Sequence, residues 1–196
     1  ERLHAGLRPD ILLVLDEAYV EFARTELDSR DGLALAARAE NVLVTRTFSK
    51  LYGLAALRIG WGFAAPAIVD AIDRFRLPFN TPRPAQAAAL AALEDEAFAE
   101  ASVRIAEEGR VGLAQILRAY GFAPLPSATN FVTARAPQGR TAAAIEAALA
   151  QRGVLVRGLA NYGMPDFLRI TIGAPEAMAA LASALEDSVQ PRPDGL

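Results

Sequence analysis

Cysteine is absent from the chain and histidine occurs once, at His4. Disulfides, thiolate zinc centres and a Cys/His dyad are thereby excluded, and no metal site is expected. His4 lies in a polar N-terminal stretch and reads as a solvated side chain. The formal net charge is only -3, and no Lys/Arg-rich run occurs. Neither nucleic acid nor an anionic membrane is therefore an expected partner. No uninterrupted apolar stretch approaches the roughly 20 residues of a membrane span. An initiating Met and a signal-like apolar segment are also missing from the start, which makes the cytoplasm the expected compartment. There is no internal repeat and no low-complexity segment.

What remains is a globular composition, 53% hydrophobic and 22% charged over 196 residues. That length suits one large domain or two small ones. Ile11 to Leu15 is a continuous apolar run ending at Asp16, as expected of a strand covered on both faces. A helical pattern covers Gly32 to Ala39, and Val42-Leu43-Val44 repeats the buried-strand signature before Thr45-Arg46-Thr47-Phe48-Ser49-Lys50. A further strand is expected over Ile59 to Phe63. Connections long enough to cross over point to a mostly parallel α/β sheet.

Helical spacing continues from Pro66 to Arg76, and Pro78, Pro82 and Pro84 then interrupt the chain. Ala85 to Tyr120 reads as one or two Ala-rich helices ending near Gly121. Beyond it the expected order is strand (Asn130 to Ala134), helix (Thr141 to Gln151), strand (Val154 to Arg157), strand (Phe167 to Ile172) and helix (Pro175 to Val189). Gly153 suits a helix end and Pro175 a first helical turn. These elements form a compact α+β unit, followed by a frayed tail, Pro191 to Leu196.

Asp16 stands at the carboxyl end of its strand, where open α/β sheets place ligands. A carboxylate buried there needs a cationic or hydrogen-bonding partner; taken alone, Asp16 reads as a helix cap or a loop salt bridge. Lys50 follows the second strand, with Thr47 and Ser49 supplying hydroxyls. An amine of lowered pKa forms imines with aldehydes, although a lone lysine is more often solvated. Arg58 sits in the apolar setting Leu57-Arg58-Ile59, where a phosphate would match its planar donors.

Taken together, Asp16-Glu17-Ala18-Tyr19, Thr47-Phe48-Ser49-Lys50 and Leu57-Arg58-Ile59-Gly60 resemble the signature of fold-type I aminotransferases. Further motifs are similar to histidinol-phosphate aminotransferases and their relatives: Phe48 to Ala55, Pro78-Phe79-Asn80, Ala128 to Phe131, Gly153 to Arg157, Tyr162 to Pro165 and Leu168 to Gly173. The resemblance implies a pyridoxal 5'-phosphate cofactor held as a Schiff base by Lys50. Asp16 would pair with the pyridinium nitrogen and Tyr19 with the phenolic oxygen, while Thr47, Ser49 and Arg58 would surround the phosphate. Arg169 matches the arginine that receives the α-carboxylate of glutamate, and Arg157 a position of substrate anion recognition.

The fold so implied is the C-terminal part of a fold-type I large domain (1–80), then linking helices (81–120), a small α+β domain (121–190) and the tail (191–196). The resembling enzymes carry a preceding segment, so a chain lacking its N-terminal part is expected. The implied activity is transamination between a small-molecule amino donor and a keto acid acceptor. L-histidinol phosphate with 2-oxoglutarate, a step of histidine biosynthesis, fits best, and a homodimer is implied. An aromatic amino acid aminotransferase and a threonine-phosphate decarboxylase-like enzyme share nearly all these motifs. An inactive folded fragment or dimerisation module is the reading of another class.

Overall fold

The computed structural model describes residues 1–23 and 32–189. The expected tail, Pro191 to Leu196, lies outside them. Contacts divide the chain into two compact units, Glu1–Val103 and Arg104–Leu196. Among the described residues no helix is long and apolar enough to cross a membrane.

The first unit begins with the short helix α1 (Arg2–Ala5) and contains β1 (Leu13–Asp16), α2 (Val20–Ala23), α3 (Leu33–Ala36), β2 (Val42–Thr47) and β3 (Gly60–Ala64). The helices α4 (Pro66–Asp73) and α5 (Arg83–Glu94) follow, and α6 (Glu96–Ala119) begins in this unit. The strands form one sheet in the order β1-β2-β3. β1 and β2 are parallel, pairing Leu13 with Val42 through Asp16 with Thr45. β3 runs the other way, pairing Thr47 with Gly60 and Leu43 with Ala64. The third strand thus departs from the parallel expectation, because the turn around the 3-10 segment Ala55–Leu57 folds it straight back beside β2.

Expected coverage on both faces also fails for β1. Leu13 and Leu15 pack with Leu33, Leu35, Ala36, Ala39, Val42 and Val44 on one face. Val14, which points to the other face, stays 51% exposed. Burying Val42 and Val44 contributes on the order of 1.5–3 kcal/mol each, so this one-sided core still holds the sheet to α3.

The second unit carries the rest of α6, then β4 (Ala123–Pro124), β5 (Phe131–Arg135), α7 (Ala142–Ala150), β6 (Arg157–Leu159), β7 (Met164–Thr171) and α8 (Pro175–Val189). Its sheet order is β4-β5-β7-β6, antiparallel throughout. Leu113 and Leu117 of α6 join Val132, Leu168, Ile145, Leu149, Leu181 and Leu185 in one core. Thr141 caps α7 by accepting from the Ala144 amide at 3.2 Å, and Gly153 leaves the helix with φ +77. The strand expected over Val154 to Arg157 forms instead at Arg157–Leu159: Val154 and Val156 pack against the core as a connection, and only Arg157 onward reaches β7.

Candidate active site

Parallel strands deliver their carboxyl ends to one edge of a sheet, and an antiparallel neighbour delivers its start there. Asp16 ends β1, Thr47 to Lys50 leave β2, and Arg58 immediately precedes β3. The edge is held together by backbone bonds from the Glu17 amide to the Thr45 carbonyl (2.9 Å) and from the Phe48 amide to the Ile59 carbonyl (3.2 Å). Five of the expected site residues, Asp16, Thr47, Ser49, Lys50 and Arg58, are thereby gathered by topology alone. Tyr19 joins them through its ring, whose centroid lies 5.6 Å from Lys50 Nζ.

The loop after β2 is anchored by its apolar residues and aimed by its polar ones. Phe48 and Leu51 are buried, and Phe48 packs on Tyr52 with ring centroids 5.1 Å apart. Ser49 donates its amide to Thr47 Oγ1 at 3.0 Å, and Gly53, at φ +68, turns the chain back toward the Lys50 carbonyl. Lys50 is left exposed between these anchors. It is the only lysine in the chain; every other residue of the Lys/Arg class is arginine. Arginine cannot give up its proton in this range or form an imine, so this single position keeps a chemistry arginine lacks.

Asp16 and Arg58 differ from expectation in being exposed. Asp16 Oδ1 accepts from the Ala18 amide at 3.2 Å, a local turn that aims the carboxylate off the strand end. Arg58 adopts a left-handed conformation, φ 51 and ψ 50, and donates from one terminal nitrogen to the Ala55 carbonyl at 2.8 Å. A non-glycine residue there costs about 1–2 kcal/mol, a strain that is concentrated at functional sites. Among the described residues, Asp16, Lys50 and Arg58 form no ion pair.

Their sequence neighbours do. Arg46 donates to Glu17 Oε2 from Nε (3.1 Å) and a terminal nitrogen (2.8 Å), with side chains only 8% and 13% exposed. The other Glu17 oxygen accepts the Gly32 amide, and the Arg46 guanidinium lies 5.3 Å from the Trp61 ring centroid. Removing one partner of so enclosed a pair typically costs about 3–5 kcal/mol. Sequence reading passed over both residues. The available signal was alternation: Glu17 continues the covered series Leu13, Leu15, and Arg46 continues Val42, Val44.

Arg157 and Arg169 belong to the second unit, where they are register partners on β6 and β7. Arg157 donates to the Tyr162 hydroxyl at 2.7 Å, and Arg169 lies 4.8 Å from the Phe131 ring centroid. Like charges directly opposite on a sheet repel, so an anion between them would be favoured.

The chain matches the family model for class I and II aminotransferases over residues 7–185. It is 51% identical over 185 residues to histidinol-phosphate aminotransferase 1 of Caulobacter vibrioides, covering 93% of this chain and 51% of that protein. The solved histidinol-phosphate aminotransferase of Sinorhizobium meliloti, in complex with pyridoxal-5'-phosphate, is 35% identical with a TM-score of 0.87, over 96% of this chain and 51% of that one. L-threonine-O-3-phosphate decarboxylase of Porphyromonas gingivalis is 28% identical with a TM-score of 0.75, over 91% and 55%. The chain spans about half the length of the curated relatives it matches. With the family model covering nearly the whole sequence, the strand-edge arrangement has a defined lineage: the chain belongs to the class I and II aminotransferases.

Proposed function

We propose that the protein at its natural length is a pyridoxal-phosphate-dependent aminotransferase that takes L-histidinol phosphate as amino donor and 2-oxoglutarate as acceptor. The observation that supports it best is the sheet edge at which Asp16, Lys50 and Arg58 converge, forming no ion pair among the described residues, while Glu17 and Arg46 beside them pair with each other. On this reading, residues 1–80 belong to the cofactor-binding large domain, 81–120 link it to the small domain at 121–190, and the active protein is a cytoplasmic homodimer.

The donor set fits the cofactor group by group. Lys50 offers an amine to an aldehyde, and Asp16 a carboxylate to a ring nitrogen. Tyr19 offers a phenol to a phenolic oxygen. Thr47, Ser49 and Arg58 offer hydroxyls and a guanidinium to a phosphate. Thr47 Oγ1 already accepts from the Ser49 amide, which leaves its hydrogen to donate outward. Arg58 engages the Ala55 carbonyl through one terminal nitrogen only, leaving the rest of its fork for an anion.

When bound, the cofactor supplies an electron sink for the carbanion formed at the substrate Cα. Asp16 holds the proton on the ring nitrogen that makes the sink effective, as a charge-assisted pair. Lys50 Nζ, freed when the substrate amine takes its place, would be the base that carries the proton from the substrate Cα to the C4′ carbon of the cofactor. Arg169 would receive the α-carboxylate of the keto acid, and Arg157 with Tyr162 the phosphate of histidinol phosphate, which has no carboxylate.

Incubating the natural-length protein with L-histidinol phosphate and 2-oxoglutarate should yield glutamate, with aromatic amino acids as poorer donors. An aromatic donor preferred over histidinol phosphate would reject the substrate assignment. Similarity to the threonine-phosphate decarboxylase supports a second reading, which predicts carbon dioxide release from L-threonine phosphate without any keto acid.

A further inference from the structure

Glu17 and Arg46 take no part in the chemistry above, yet theirs is the best-enclosed ion pair among the described residues. Every other ion pair there has at least one side chain roughly half-exposed or more. We propose that the Glu17–Arg46 pair is a positioning device, fixing the spacing of the strand ends that present Asp16, Lys50 and Arg58 to the cofactor. The inference rests on the pyridoxal-phosphate reading of that edge.

Side-chain alternation places the pair. Leu13, Leu15 and Glu17 share one face with Val42, Val44 and Arg46, while Asp16 and Thr47 point to the opposite face. The pair therefore lies beneath the ligand-facing groups and one residue from each. Both strands end their covered faces in a charge, and the charges meet.

Through that contact several segments become one. The Glu17 carboxylate holds Arg46 of β2 by one oxygen and the Gly32 amide before α3 by the other. Arg46 stacks on Trp61, its register partner on β3. Closeness is enforced at glycines: a Cβ on Gly32 would lie 2.8 Å from Glu17 Oε1, and one on Gly60 would lie 2.6 Å from the Arg46 carbonyl oxygen. An apolar pair of similar volume typically stabilises a fold as well as an enclosed ion pair does. What the apolar pair lacks is direction, and the directional part is what aligns the three strands.

The test uses the natural-length protein, with pyridoxal phosphate as the probe. Glu17→Gln/Arg46→Met removes both charges together and strands neither. The expected result is a dissociation constant raised roughly tenfold or more, as misplacement of a binding group costs. The visible circular dichroism induced in the bound cofactor at saturation should fall, with little change in the thermal midpoint of the cofactor-free protein. The induced signal reads how the cofactor is held, which a purely stabilising pair would not alter. A dissociation constant within about twofold of the parent, with the induced signal intact, overturns the proposal.

Should the double variant not fold, Trp61→Leu is measured instead, since it removes only the ring beside Arg46. Binding weakened by about threefold or more supports the proposal, and unchanged binding with unchanged induced signal overturns it. A parent protein with no cofactor band rejects the pyridoxal-phosphate reading itself, which separates that failure from this one.

Discussion

Lys50 Nζ lies 5.6 Å from the centroid of the Tyr19 ring, so an amine leaving β2 and a phenol following β1 share one edge. Lys50 is the only lysine of these 196 residues, and borohydride treatment of the natural-length protein with pyridoxal phosphate should place the label on the peptide containing Phe48 to Tyr52. Lys50→Arg keeps the charge and the contact with the ring but should abolish both label and turnover. A label found in the parent on a peptide other than Phe48 to Tyr52, or turnover retained in the variant, would remove Lys50 from its proposed role.

Asp16→Asn separates holding from chemistry. The amide keeps the size of the side chain and can still accept from the Ala18 amide, so cofactor retention should survive. It cannot hold a proton on the ring nitrogen as a carboxylate does, and kcat should fall by about a hundredfold or more. Turnover near the parent value would reduce Asp16 to a turn-forming residue.

Arg58 combines a backbone cost with a proposed binding gain, and substitution can divide them. Arg58→Gly and Arg58→Ala both remove the guanidinium, and each should weaken cofactor retention by about 1.5–3 kcal/mol. Only glycine relieves the left-handed conformation, so the glycine variant should exceed the alanine variant in unfolding free energy by about 1 kcal/mol. Equal denaturant midpoints for the two would show that the conformation carries no strain.

The opposed arginines in the second unit invite a parallel argument. Arg157→Leu removes a like charge facing Arg169 and should leave stability unchanged or slightly raised, by a few tenths of a kcal/mol or about 1 at most. Affinity for the phosphorylated donor should nevertheless fall. Arg169→Leu should act instead mainly on the KM of the keto acid. If both variants leave both KM values alone, the pair has no part in substrate recognition.

Much of this edge was legible because it is written in runs: five apolar residues before Asp16, and a strand flowing into Thr47-Phe48-Ser49-Lys50. Helix α8 likewise begins at the Pro175 and ends at the Val189 marked by local pattern. Strand direction was less legible, since Gly60–Ala64 has the same residues whichever way it pairs. Only the turn at Arg58 decides it, and a left-handed arginine has no sequence signature. The two-residue β4 is too short to show a period. The roles of Glu17 and Arg46 depend on register between strands, a property of the pair and not of either segment.

The reversal of β3 has a consequence for the order of folding. Pairing Thr47 with Gly60 closes a short loop, whereas pairing Leu13 with Val42 must bring distant stretches together. Shorter closure costs less chain entropy and proceeds faster. The ribbon bearing Lys50 and Arg58 is therefore expected to form before β1 docks and delivers Asp16. Pulse-labelled hydrogen exchange during refolding would show the Phe48 amide protected ahead of the Leu13 and Glu17 amides. Simultaneous protection would mean that the edge condenses in one step, its amine, guanidinium and carboxylate arriving together.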